Sequence, residues 1–197
     1  AQIADVSQLS NTKLYFVSQP GHLSGTPTSW VIISESDALQ VNSQCGVTSS
    51  ADDANQQFAF ISNDGGNTHY LYHPARKMFV NKDASLSALP MNAVHFTAGN
   101  QAGTFVVYFD ASSVINTNDN QGLVINRWGP LSGYGEADAG NSCAIIPVGE
   151  FDPTEALAMF AAADEEKKKN IEFKAGANGW IEGADWYNQS QRVVGFT

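Results

Sequence analysis

Gln56-Gln57-Phe58, Asn92-Ala93-Val94 and Asn141-Ser142-Cys143 share one pattern: a polar amide, a spacer, and an apolar residue that opens an alternating run. Each triplet closes a block of similar order. The blocks open on apolar strands, Leu14-Tyr15-Phe16-Val17, Tyr70-Leu71-Tyr72 and Phe105-Val106-Val107-Tyr108. A second apolar pair follows and runs into small polar residues and an acid: Ile32-Ile33-Ser34-Glu35, Phe79-Val80-Asn81-Lys82-Asp83 and Val114-Ile115-Asn116-Thr117-Asn118-Asp119. A lone leucine then stands in every block, at Leu39, Leu86 and Leu123. A unit of this size cannot bury its apolar face alone and must associate with its copies. Three such units read as a threefold β architecture.

The order strand, strand, leucine strand and Gln/Asn-x-apolar strand resembles the β-trefoil of ricin-type lectins, whose repeats end in Gln-x-Trp. The resemblance covers about residues 13 to 149, and it departs from the pattern in that Phe58, Val94 and Cys143 replace the tryptophan. The copies are also unevenly spaced, which a fold of this kind absorbs because loop length costs closure entropy only logarithmically. The resemblance implies an all-β fold of three four-stranded repeats around a pseudo-threefold axis, with Leu39, Phe58, Leu86, Val94 and Leu123 in one shared core. A β-sandwich with coincidental amides is the alternative.

Composition sets the outer limits. The 197 residues are 43% hydrophobic and only 15% charged, too apolar and too weakly charged for disorder. Such a length holds one domain of ordinary size and a smaller appendage. A formal charge of −10 argues against nucleic acid and against an anionic membrane surface, both of which select clustered Lys and Arg. No apolar run of spanning length is present. Sparse lysine, abundant Asn, Ser and Thr, and a start at Ala1-Gln2-Ile3 without an initiator methionine, as signal-peptide removal would leave, lead us to expect a secreted, cell-surface or periplasmic protein. A trimmed chain reads the same way at that terminus. Cys45 and Cys143 permit one bridge, while the place of Cys143 in the triplet equally suits a buried thiol; both readings stand.

After an N-terminal lead at residues 1–12 and the β domain at 13–149, residues 150–197 change pattern. In Phe151-Asp152-Pro153-Thr154-Glu155, Asp152 reads as N-cap, Pro153 as the first helical position and Glu155 as its capping partner. Ala156, Met159, Phe160 and Ala163 fall on one helical face, and Lys167-Lys168-Lys169 is expected near the helix end, offsetting its dipole. Ile171-Glu172-Phe173-Lys174 and Trp180-Ile181-Glu182, joined through Asn178-Gly179, predict a short β-hairpin extension. This tail packs on the β domain or begins a further domain.

Catalytic constellations are not evident. Asn116 to Gly122 has the flavour of a calcium loop, but its glycine comes one place late and Arg127 stands where a bidentate Glu belongs. His69 and His73 share a face of a presumed strand, a spacing that could serve a metal, without a third ligand. There is no Gly-x-Ser-x-Gly elbow and no phosphate loop. We therefore expect no enzyme, no cofactor and no metal.

Binding remains. Sugars are held by aromatic faces against their C–H surfaces and by planar amides and carboxylates at their hydroxyls. The third block supplies both, and Asp119, Asn126, Trp128 and Tyr134 are the expected carbohydrate-binding residues, with Trp128 also suited to the core. The expected function is a non-catalytic, lectin-like module of a secreted protein taking a neutral glycan or polysaccharide, alongside further domains. The alternatives are an interaction or spacer module, or a trefoil-type protease inhibitor using the loop from Gln19 to Ser29.

Overall fold

The structure is a computed structural model that describes residues 2–18, 54–116, 122–124, 129–133, 135 and 140–178, with side chains for all but 122–124 and 172–178. It is all-β with one C-terminal helix. The chain divides into two compact units, Ala1–Met159 and Phe160–Thr197.

Among the described residues of the first unit the strands are β1 (Lys13–Ser18), β2 (Ala59–Ile61), β3 (Tyr70–His73), β4 (Met78–Val80), β5 (Leu86–Ser87), β6 (His95–Ala98), β7 (Phe105–Asp110), β8 (Ser113–Asn116), β9 (Gly122–Val124) and β10 (Ala144–Glu150). Six of them close on one another. β1 pairs antiparallel with β10, β2 with β3, and β6 with β7. The gaps between these pairs are bridged at Tyr15 with Phe58, His69 with Val94, and Phe105 with Cys143. Phe58, Val94 and Cys143 are the apolar residues of the three triplets, and each immediately precedes a ring strand. The bridges are real hydrogen bonds: Phe58 N donates to Tyr15 O at 2.9 Å, Val94 N to His69 O at 2.8 Å, and Cys143 N to Phe105 O at 2.7 Å. The single bridges join the three pairs into a ring, so each ring strand has hydrogen-bonded backbone on both flanks.

The side chains inside the ring form one cluster. Tyr15, Val17, Phe58, Phe60, Leu71, Val94, Phe105, Val107, Cys143 and Ile145 are all buried in it. Of the expected core leucines, Leu86 packs against the cluster while only half-buried; Leu39 and the side chain of Leu123 lie outside the described residues. Its place on the two-residue strand β5 explains the partial exposure, because the β4·β5 hairpin is short and sits at the end of the ring. The hairpin of β8 and β9 pairs Ile115 with Leu123 and Asn116 with Gly122. Cys143 is fully buried, and Cys45 lies outside the described residues.

The segment before β1 contributes to the same unit. Ile3 is buried in the core and donates its N–H to Ile145 O at 2.8 Å. Asp5 caps a single 3-10 turn at Val6–Gln8 in a reciprocal capping box.

The helix α1 spans Thr154–Asn178. Its start follows the sequence: the Asp152 carboxylate accepts from the Thr154 N–H at 3.0 Å and from the Thr154 hydroxyl at 2.7 Å. The first turn is tied to the strands of its own unit. Phe151 N donates to Thr12 O, its ring lies 5.9 Å from that of Tyr72, Glu155 meets Lys77 at 3.2 Å, and Ala156 is fully buried. The expected hairpin is overturned in its first half, because Ile171-Glu172-Phe173-Lys174 continue the helix. Four alternating residues are a weak strand signal, whereas Ala161 to Lys169 is a run of strong helix formers through which each added turn costs little once nucleated. Lys167-Lys168-Lys169 accordingly sit within the helix, and no basic residue occupies its last turn. Trp180 to Glu182 lie outside the described residues. Among the described residues no helix is long and apolar enough to cross a membrane.

Two measurements probe this account. Phe58→Ala, at a ring-closing position with no exposed surface, is expected to lower unfolding free energy in urea by about 3–5 kcal/mol, and Met91→Ala, at 65% exposure, by less than about 0.5 kcal/mol. Asp152→Ala should speed amide exchange at Thr154 and the next turn while leaving exchange in β1 and β10 unchanged; uniform protection in the variant would mean the cap does not hold the helix start.

Candidate functional site

The third block anchors its polar residues at their base. Asn116, the last residue of β8, donates its Nδ2 to Asn141 Oδ1 at 2.8 Å, and both side chains are buried. The pair ties the end of the β8·β9 hairpin to the strand that closes the ring at Cys143. Two buried amides satisfying one another are structural, since leaving either alone costs the desolvation of a polar group. Asn116 thereby acts as a strut at the base of the block. Farther on, Pro130–Ser132 form a 3-10 turn that ends on Gly133 with φ +82, the left-handed conformation glycine adopts freely. The expected sugar-binding residues Asp119, Asn126, Trp128 and Tyr134 lie outside the described residues, as does the Gln19–Ser29 loop. Asp119 belongs to the connection between the paired residues Asn116 and Gly122.

The second block shows what its equivalent residues do. Asn81 is buried, donates Nδ2 to Ser85 Oγ at 3.1 Å and accepts from the Ser87 hydroxyl at 3.3 Å. Asn92 accepts from the Lys82 N–H at 3.0 Å. Asp83 Oδ1 accepts from the Ser85 hydroxyl at 2.6 Å and its N–H at 3.1 Å, bonds that hold the carboxyl below the usual range. Ala84 takes φ +70 to complete the turn. These amides and this acid satisfy a tight β4·β5 connection, as Asx residues in turns commonly do.

A cleft of about 330 Å³ opens elsewhere in the first unit, between the N-terminal segment and the β2·β3 connection. Val6, Ser7, Leu9 and Asn11 form one side, and Ser62, Gly65, Gly66 and His69 the other. The two sides are locked together. Asn11 Nδ2 donates to Ser62 O at 2.7 Å while Ser62 N donates to Asn11 Oδ1 at 2.9 Å, a side chain copying one rung of a β ladder. The Ser62 hydroxyl donates to Asp64 Oδ1 at 2.7 Å and accepts from the Gly66 N–H at 2.8 Å. Asp64 Oδ1 also takes the Thr68 N–H at 2.9 Å. The Ser62 bond first, then those from Thr68, pull the Asp64 carboxyl down to about 2. Gly65 and Gly66 both have positive φ, the conformation that lets the connection turn this tightly.

His69 and His73 do not form a metal pair. His73 is fully buried, its ring 5.2 Å from Phe58 and its Nε2 3.1 Å from Asn55 O. His69 instead packs edge-on to Phe96 at 5.7 Å. Four residues of extended chain separate them by roughly 13 Å, far beyond the reach of one ion. Among the described residues no group of three or more His, Cys, Asp and Glu is placed to hold a metal. The β2·β3 connection does carry a sequence signal, since Asp64-Gly65 between two apolar runs is a strong short-range hairpin pattern.

No protein-family model matches the chain, and no curated protein matches it. Among solved structures it is similar to a GlcNAcα1-4Gal-releasing endo-β-galactosidase from Clostridium perfringens, at 14% identity and a TM-score of 0.47, over 70% of this chain. The chain spans 33% of that protein's length.

Asp64 gives a signed pH dependence. Its carboxyl is depressed in the folded state, so its stabilising contribution is fully present above the unfolded value near 4 and is lost as pH falls through about 2. The urea midpoint should fall across that window, and fall less in Asp64→Asn; parallel curves would show that the carboxylate is not stabilised by folding.

Proposed function

We propose that residues 13–149 form a β-trefoil related to ricin-type lectins and serve as a non-catalytic carbohydrate-binding module of a secreted protein. The observation that carries this reading is the ring itself. Its three isolated bridges fall at the apolar member of each Gln/Asn-x-apolar triplet, at the junctions where successive pairs of strands meet. A closed ring with its turns projecting from it offers loops as ligand-binding material on a rigid base.

Within that fold the third block is the favoured lobe. Asn116 and Asn141 brace its base, and the intervening segments carry Asp119, Asn126, Trp128 and Tyr134. Trp128 or Tyr134 supplies the stacking face, and Asp119 and Asn126 take the hydroxyls. The −10 charge selects a neutral glycan over a polyanion. Open polar sites bind weakly one at a time, so useful affinity comes from several lobes or from tethering to a further domain.

An interaction or spacer role is the second reading, and the second block favours it. There Asn81, Asp83 and Asn92 are spent on their own turn.

Calorimetry against a panel of neutral glycans separates the two. Saturable binding that Asp119→Ala abolishes without changing the urea midpoint supports the lectin reading, and Trp128→Ala should weaken it. Retained affinity in Asp119→Ala removes the third lobe, and no binding to any glycan leaves the interaction module ahead.

A further inference from the structure

His69 is only 6% exposed, lines the cleft between the N-terminal segment and the β2·β3 connection, and meets no hydrogen-bond partner for its ring nitrogens among the described residues. Burial lowers its pKa, outweighing the nearby Asp64 charge, so the imidazole is neutral at neutral pH. A neutral imidazole presents one N–H donor and one nitrogen acceptor. The Ser7 hydroxyl, also lining the cleft, has the same dual capacity.

From these groups the geometry points to a second ligand site, at His69, that takes one neutral polyhydroxylated ring such as a pyranose. A hydroxyl is itself both donor and acceptor, and so complements His69 and Ser7 together. Among the described residues no Lys or Arg lines the cleft to attract an anion, and no carboxylate lines it to hold a cation. The Asp64 Oδ1 beside it is already engaged by Ser62 and Thr68. Val6 and Leu9 provide an aliphatic wall against which the C–H face of a ring can lie. The volume of about 330 Å³ is near the lower bound for ligand pockets, roughly 300 Å³, which suits a single ring rather than a chain.

The cleft is also preformed. The capping box of Asp5 and Gln8 fixes the turn carrying Val6 and Ser7. The double bond between Asn11 and Ser62 fixes the width. Val6 and Leu9 are seated on the core. Binding therefore pays little to order the protein. The site is built from the N-terminal segment and the β2·β3 connection, and does not rest on the third block being functional.

The test is imidazole ¹⁵N–¹H NMR of the full chain, titrated with the methyl glycosides of glucose, galactose and N-acetylglucosamine and with sorbitol as an acyclic control. Titration runs to about 50 mM, well past the roughly millimolar Kd expected of a one-ring site. At least one glycoside should shift the His69 resonances saturably. Ser7→Trp, an exposed position that fills the mouth, should abolish the shift. His69→Phe, which keeps the packing on Phe96, should weaken binding by calorimetry about tenfold or more, the loss of a buried hydrogen-bonding partner. The His69 shift should persist in Asp119→Ala, which separates this site from the third lobe. No saturable shift with any probe, or an unchanged shift in Ser7→Trp, overturns the site; sorbitol binding as tightly as the glycosides overturns the ring.

Discussion

A strand that has lost one neighbour keeps half its backbone polar groups exposed, and a short strand suffers most. β2 is three residues long and β3 and β6 four each, too short to persist as isolated hairpins in water. They hold because each has a ladder on one side and a single bridge, at Phe58, His69 or Val94, joining it to the next pair, and β3 carries the β4 ladder as well. Phe58, Val94 and Cys143, one residue of each bridge, are buried in the core, so the hydrogen bonds that close the ring and the burial of the core are one event. Among the described residues of the first unit, two hairpins, the capped N-terminal turn and the first turn of α1 are attached to that ring.

Much of this was readable beforehand, because the ring strands follow a period-two pattern. Tyr15, Val17, Phe58 and Phe60 alternate inward, and the triplets place the bridge positions. What escaped was of two kinds. The tail misled because Ile171 to Lys174 alternates over too few residues to outweigh the helix-forming stretch before it. The cleft at His69 is not legible in the sequence because it is assembled from segments about 50 residues apart, Asn11 meeting Ser62, and pairing at that distance leaves no local period. The role of Ile3 in the core is hidden for the same reason.

Polar residues in this chain serve two purposes that composition cannot separate. Asn81, Asp83, Asn92, Asn116 and Asn141 hydrogen-bond to their own surroundings. Ser62 and Asp64 do the same, yet in doing so they erect a wall beside a histidine that is left with bonding capacity to offer. The distinction between a turn residue and a binding residue is thus one of satisfied valence, and it emerges only when partners are counted.

The pairing of β1 with β10 has a kinetic side. Lys13 bonds Glu150 across a sequence separation of 137 residues, and Ile3 likewise reaches Ile145. On the ribosome β1 is made first and waits, its mate absent, until the last ring strand emerges. Loop-closure entropy must be met before so distant a contact is rewarded, which makes folding slow compared with locally wired domains. During that interval β1, with the apolar run Leu14 to Val17, is an open template for strand addition. Crowded synthesis therefore favours a chaperone or rapid dilution until the circle is complete.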